Sequence, residues 1–332
     1  MTTGVSFIVT KVIEDDWLFI AGSPDGNKPY TPFIRWFQYL AGDAEPWTHH
    51  ESNWWARSAT TYFPLGVDKN GDWALVGMSQ EGDVEFTYQD SVAEEKIAGA
   101  GVFVSDAMGW GYVSSIRQIG NFLFVCGGGG QVYKRSGDNL WEHMDAGLLQ
   151  ASPVVDRLLL SDINGSGEQD IYVCGSSPGP AGLEGRLFHY DGATWRQIEI
   201  PGTGYLTRIL VESSECVWIC GHNGALLNGN QRVGFKDVST VEDSQLFYSM
   251  AHYWRKLYLG SNLGLYEYNI GEPNSKIRKV TTGLTPEVED TVTVDSVGEV
   301  LWSIGEKDIV RFDGNDWARI DHPANLPIQP MA

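Results

Sequence analysis

Seven apolar runs, each closed by a glycine, recur along this 332-residue chain. They are Trp17-Leu-Phe-Ile-Ala before Gly22, Trp73-Ala-Leu-Val before Gly77, Phe122-Leu-Phe-Val-Cys before Gly127, Ile171-Tyr-Val-Cys before Gly175, Val217-Trp-Ile-Cys before Gly221, Leu257-Tyr-Leu before Gly260 and Leu301-Trp-Ser-Ile before Gly305. Near-continuous apolar runs of this length read as strands buried on both faces. An antiparallel protein buries both faces of a strand when small sheets stack radially against one another. The closing glycines stand 39 to 55 residues apart, room for one four-stranded blade each. The expected fold is therefore all-β, a seven-bladed β-propeller of four-stranded antiparallel blades. Its blades should run over about 4–52, 58–98, 110–147, 154–201, 205–240, 244–283 and 288–322 of a single domain.

Each apolar run reads as the second strand of its blade. Gly4–Ile13, Tyr205–Val211 and Thr291–Val294 are expected first strands; Phe33–Leu40, Val84–Tyr88 and Ile309–Phe312 are expected third strands. Turns between third and fourth strands are expected at Ser136-Gly137, Asp191-Gly192, Asn228-Gly229 and Asp313-Gly314, since Gly and Asn tolerate positive φ. Every blade holds its four strands in sequence. No strand is left to swap between the first and last blades, so closure of the ring must rest on packing of blade 7 against blade 1. Abundant glycine (39) and 12% aromatic content fit this turn-rich β reading.

The fullest copies are Ile171-Tyr-Val-Cys-Gly175 with Arg186-Leu-Phe-His-Tyr-Asp-Gly192 and Thr194-Trp195, and the stretch Glu299–Ile320 with Asp313-Gly314 and Trp317. They resemble bacterial propeller repeats of the WD40-like, Kelch and BNR type. The resemblance is closest in blades 3, 4 and 7. A repeated Gly-His…Trp-Asp pair is missing, which sets the chain apart from typical WD40 proteins. The resemblance implies a propeller serving as a platform and transfers no catalytic residue.

Charge narrows the function. A net charge of −20 opposes nucleic-acid binding, which needs a basic surface, and opposes docking on anionic lipid. It favours a basic protein partner. No apolar run reaches the roughly 20 residues of a membrane helix, and Met1-Thr-Thr-Gly lacks the basic start of a signal peptide. A cytoplasmic location is the expectation. Cys126, Cys174 and Cys220 each precede a strand-closing glycine and read as small buried hydrophobes. Cys216 with Cys220 and His222 lacks a second ligand pair at zinc-finger spacing.

Motifs for catalysis are lacking. There is no HExxH, no Gly-x-Ser-x-Gly elbow, and Gly127-Gly-Gly-Gly130 lacks the Lys-Ser/Thr of a phosphate cradle and reads as a hairpin loop. One stretch has the look of a calcium loop. Asp162-Ile-Asn-Gly-Ser-Gly-Glu-Gln-Asp170 offers oxygens at Asp162, Asn164, Ser166 and Asp170, but Val173 stands where an EF-hand has its glutamate. Its competing reading is the ordinary approach to a second strand. A ligand-free protein, with calcium at these four residues as the alternative, is the expectation.

The long segments Ser23–Pro32, His49–Ser58, Ala98–Gly111 and Ser176–Gly185 all leave the same face of a propeller. They carry Tyr30, Trp54, Trp55, Arg57 and Trp110, aromatic and Arg anchors of the kind binding surfaces use. The competing reading is that these rings pack between blades. The functional expectation is a non-enzymatic, acidic interaction propeller, immunity- or adaptor-like, that grips a basic protein with this face. The alternatives are a carbohydrate-binding propeller and a propeller hydrolase or lyase with its site at the channel mouth.

Overall fold

Each expected apolar run becomes the second strand of a four-stranded antiparallel sheet in a computed structural model of the chain. The structure describes residues 4–28, 31–68, 70–150, 157–180, 182–202, 204–239 and 245–328. Blade 1 comprises Val5–Glu14, Trp17–Pro24, Ile34–Leu40 and Trp47–Ser52, and blade 2 Ala56–Tyr62, Ala74–Ser79, Asp83–Thr87 and Val92–Lys96. Blade 3 comprises Val113–Ile119, Phe122–Gly127, Val132–Gly137 and Leu140–His143, and blade 4 Leu159–Gly167, Asp170–Gly179, Gly182–Tyr190 and Trp195–Gln197. Blade 5 comprises Leu206–Ser213, Cys216–Gly221, Leu226–Asn230 and Gly234–Asp237. Blades 6 and 7 follow with Phe247–Tyr253, Lys256–Ser261, Gly264–Asn269 and Arg278–Lys279, then Thr293–Val297, Val300–Ile304, Ile309–Phe312 and Trp317–Arg319. Strand order within every sheet is sequential. The protein is a seven-bladed β-propeller, and its helical content among the described residues is the single 3-10 turn His222–Gly224.

The closing glycine has a physical cause. In five blades the first strand carries a one-residue bulge opposite it: between Phe7 and Val9, Val113 and Ser115, Leu160 and Asp162, Leu206 and Arg208, and Phe247 and Ser249. The bulge bends the first strand onto the second. At Gly127 a Cβ would stand 2.5 Å from Tyr112 O and 2.7 Å from Val113 Cα. At Gly175 and Gly221 it would collide with the carbonyl oxygens of Leu159 and Tyr205. Only a residue without a side chain lets the strands approach this closely.

The Asp-Gly-x-x-Trp signature is a four-residue loop, longer than a two-residue hairpin turn. Asp191 Oδ1 accepts N–H bonds from Ala193 (3.0 Å) and Thr194 (2.9 Å), and Asp313 Oδ1 does the same for Asn315 and Asp316 (2.9 Å each). These backbone donors hold both carboxyls below their ordinary range. Gly192 and Gly314 supply the positive φ (92° and 97°), and the tryptophan that follows lies against the aromatic residue across the loop, Trp195 on Tyr190 and Trp317 on Phe312. Two expected turns are misplaced. Asn228-Gly229 lies inside the third strand of blade 5, where Gly229 faces Phe235, and the turn sits at Gln231–Val233. In blade 3 the chain turns at Asp138-Asn139, with Asn139 in the left-handed region (φ 53°), one step beyond Ser136-Gly137.

The chain divides into two compact units, Met1–Ala56 with Ser239–Ala332, and Arg57–Val238. In the first, blade 7 closes on blade 1 without sharing a strand. Phe7 N donates to Glu306 O (2.8 Å), Val5 N to Asn325 Oδ1 (2.8 Å), Arg311 Nε to Asp15 O (3.0 Å), and Lys11 pairs with Asp295 (2.6 Å). One apolar cluster joins Leu18, Ile20 and Phe37 to Trp302, Ile304 and Ile309. The segment after the last strand folds onto blade 1: Trp47 Nε1 donates to Asp321 O (3.1 Å), and His322, 4% exposed, sits among the rings of Phe7, Phe37 and Trp47.

In the second unit, apolar clusters join blades 2 and 3, 3 and 4, and 4 and 5. Hydrogen bonds run between neighbouring first strands as well. Ile116 N donates to Ser58 Oγ (3.2 Å) and Ile209 N to Asp162 Oδ2 (2.9 Å), while Asp162 Oδ1 accepts from Ser115 Oγ (2.6 Å). In the first unit Val294 N donates to Ser249 Oγ in the same manner (2.9 Å). Arg135 and Glu95, each 7% exposed at the side chain, form a bidentate pair between blades 3 and 2, and Trp141 Nε1 donates to the same carboxylate.

His322 gives closure a pH dependence. Burial, helped by the nearby His49, lowers its pKa from 6.5 to about 4. The unfolded chain therefore binds more protons between these values. The contribution is complete above about pH 6.5 and is lost progressively as pH falls toward about 4. The melting temperature of the wild type should fall between about pH 7 and pH 5, and His322→Phe should flatten that slope. Parallel slopes in thermal scans would contradict the assignment.

Candidate functional site

The connection from blade 2 to blade 3 is held by backbone and side-chain hydrogen bonds along its length. Its sequence, Ile97-Ala-Gly-Ala-Gly-Val-Phe-Val-Ser-Asp-Ala-Met-Gly-Trp-Gly-Tyr112, places glycine at 99, 101, 109 and 111, all at positive φ. Gly101 shows why. Its φ is 96°, and a Cβ there would stand 3.0 Å from Glu81 O. The chain can thus fold back so that Gly101 N donates to Gly111 O (3.1 Å) and Met108 N to Gly99 O (3.0 Å). Ile97 and Ala100, both fully buried, pin the base of the loop into the core between blades 2 and 3.

Three polar side chains hold the remainder. Glu81, in the turn between the second and third strands of blade 2, receives N–H bonds on one carboxylate oxygen from Val102 (2.7 Å) and Phe103 (3.1 Å). That turn is itself braced by Lys96, whose Nζ donates to Glu81 O (2.8 Å) and Asp83 Oδ1 (3.0 Å). Asp106 Oδ2 accepts from Gly99 N (3.1 Å), and this bond holds its carboxyl below the ordinary range. From the approach to blade 4, Arg157 Nη2 donates to Gly109 O (3.0 Å). Charge-assisted bonds to backbone are the stronger kind, and here they fix a loop rather than a helix cap.

The loop presents apolar side chains to solvent. Phe103 is 83% exposed, Met108 64% and Val102 42%. Phe103 reaches toward the Tyr112 ring (centroids 6.3 Å apart). Tyr112 O in turn accepts from Gly128 N, and Gly128 bridges Leu159, itself partly exposed. An ordered segment with three exposed apolar residues within seven positions is a binding surface in form.

The expected anchors fall differently. Trp110 is half-buried, edge-on to His143 (5.0 Å) and against the backbone of Gly99, so it walls the loop rather than tipping it. Arg57 is exposed on the first strand of blade 2. In the first unit Trp54 is half-buried and edge-on to Trp36 (5.8 Å), which is stacked on Phe19, and Trp55 is half-buried. Tyr30 lies outside the described residues. The segment 176–185 is no open loop: Ser176 pairs with Gly185, Ser177 with Glu184 and Pro178 with Leu183, extending the blade 4 hairpin. Phe103 and Met108 are neither Trp nor Arg, the residue types that mark an anchor most plainly in a sequence. The signal was there, an apolar tripeptide fenced by glycines with no strand to pair with.

Asp162, Asn164, Ser166 and Asp170 form a hairpin and do not wrap into a loop. Asp162 is fully buried on the first strand of blade 4, its oxygens facing Ser115 and Ile209 N, with Arg117 at 3.6 Å and Arg208 at 3.7 Å. Asn164 donates to Ile209 O (3.1 Å), Ser166 bonds Asp170, and Asp170 bonds His189 (2.7 Å). The extended first strand, rising about 3.3 Å per residue, carries Asp162 away from the hairpin end where Ser166 and Asp170 meet, which is why the calcium-loop spacing does not become a calcium-loop geometry. Among the described residues no group of three or more His, Cys, Asp or Glu is arranged to hold a metal ion. Cys126, Cys174 and Cys220 are buried free thiols whose pKa values burial raises, Cys220 to about 12, consistent with packing roles.

No family model matches the chain. The Immune protein Tsi7 of Pseudomonas aeruginosa is 29% identical over 217 residues, which are 65% of this chain and 67% of that protein. Among solved structures, the WD40 β-propeller domain of Doa1 has a TM-score of 0.58 at 9% identity, covering 94% of this chain and 93% of that one. Sqt1 from Chaetomium thermophilum gives 0.58 at 14% identity, covering 98% and 85%. YCF48 from Cyanidioschyzon merolae gives 0.54 at 12%, covering 81% and 87%. These structures share the propeller fold.

The Glu81 cradle makes a prediction about order. Glu81→Ala should speed hydrogen exchange at the Val102 and Phe103 amides by about tenfold or more, since bonds to a charged acceptor are lost. The blade strands should keep their protection. Unchanged exchange at these two amides would show that the carboxylate does not organise the loop.

Proposed function

We propose that this chain is a protein-binding propeller of the immunity kind: it protects its cell by seizing a basic, harmful protein with the loop-bearing face. The observation that carries the reading is the ordered, apolar-tipped 98–111 loop on a chain of net charge −20. Binding of a folded protein needs a desolvated apolar centre with a polar rim. The loop supplies the centre, and the surplus of carboxylates supplies long-range attraction for a basic partner. The relative named as an immune protein supports the same direction.

The buried side chains agree with a scaffold role. Ion pairs such as Arg135–Glu95 and Arg319–Asp308 tie strands together, leaving function to the loops.

The test uses the purified product of the gene beside this one, because an immunity protein and its target are made together. Calorimetry should show a one-to-one complex. Raising salt from about 50 to about 500 mM should weaken it on the order of tenfold, mostly through slower association. A complex indifferent to salt would remove the electrostatic half of the reading. Glycan binding in place of protein binding would replace the reading altogether.

A further inference from the structure

We propose that Phe103, flanked by Met108 and Val102, is the anchor of the interface: it inserts into an apolar pocket with a basic rim on the partner protein. The inference rests on the protein-binding reading and names the part of the surface that does the work.

Other exposed apolar side chains are scattered. Leu65 (79% exposed) follows the first strand of blade 2, Val233 (78%) and Trp254 (72%) sit at hairpin turns, and Leu326 (90%) lies past the last strand. The 98–111 loop alone among described segments gathers three within seven positions and ties down the backbone beneath them. Glu81 fixes the two amides at the tip, Asp106 and Arg157 fix the flanks, and Ile97 and Ala100 fix the base. An anchor held this way loses little conformational freedom on binding, which is where flexible loops forfeit affinity.

Shape and charge identify the occupant. The apolar side chains of the loop stand in solvent, so the partner must supply the cavity. Glu81 and Asp106 stand on the same loop and its support, and backbone donors keep Asp106 in its charged form. A rim of Lys or Arg around the cavity would meet these carboxylates. A second copy of this chain fits poorly, because two bodies of net charge −20 repel.

Two measurements test the proposal. In the first, the neighbouring gene's product is titrated against variants whose circular dichroism matches the wild type. Phe103→Ala should weaken binding at least about 30-fold and Phe103→Asp about 100-fold or more, as for a central anchor. Leu65→Asp, at the opposite end of the blade 2 strands, should change it less than about twofold. Full affinity in Phe103→Asp would overturn the anchor while leaving the protein-binding reading intact. In the second, a photocrosslinking benzoylphenylalanine is placed at 103, 65 or 254 in living cells, so that the result does not depend on the chosen partner. An adduct with a basic protein at 103 and not at 65 or 254 supports the anchor. An adduct at 65 or 254 without one at 103, or an adduct of two copies of this chain, overturns it. Failure at all three positions, with no binding by the wild type, overturns the anchor and the protein-binding reading together.

Discussion

The close approach of the first two strands, opposite a glycine, is the constraint on which the rest of the structure depends. A one-residue bulge bends the first strand toward its neighbour, and Gly127, Gly175 and Gly221 leave no room for a side chain at the contact. The bend recurs in blades 1 and 6. With the inner strands shaped alike, their side chains meet the next blade in repeated fashion. Ser58, Asp162 and Ser249 each accept a backbone N–H from the neighbouring first strand. Asp162 is fully buried and is compensated by two hydrogen bonds and two nearby arginines.

Closure uses the same packing physics with a different set of residues. Blade 7 and blade 1 share no strand, so the Phe7 N to Glu306 O bond, side-chain packing and the segment past Arg319 do the joining. His322 fills an aromatic niche with its Nδ1 accepting from Ala324 N. A neutral imidazole is suited to that niche at neutral pH, and a charged one is not.

Much of this architecture was legible in the sequence, because each signal has one cheap physical solution. Glycine after an apolar run marks close approach, and Asp-Gly-x-x-Trp marks a carboxylate-capped loop with a ring packed across it. The two displaced turns show the limit. Asn228-Gly229 looks like a turn, yet Gly229 is spent on close approach to Gly234 within the strand. The Asp162–Asp170 stretch has calcium spacing, but pairing as an extended hairpin spreads its oxygens along the strand instead of wrapping them round one point. Trp54 and Trp110 have the composition of anchors and are used for packing against Trp36 and His143. Phe103 is not marked locally, because the partner of its backbone N–H, Glu81, stands 22 positions away in the chain.

Rigid blades and a fixed apolar tip divide the labour between fold and recognition. The most direct test of that division is a structure of the complex with the bound partner. Phe103, 83% exposed in the free chain, should be almost wholly buried in a pocket of the partner, with the 98–111 backbone unchanged. A complex that leaves Phe103 in solvent and engages the partner through the 63–73 connection would contradict the account.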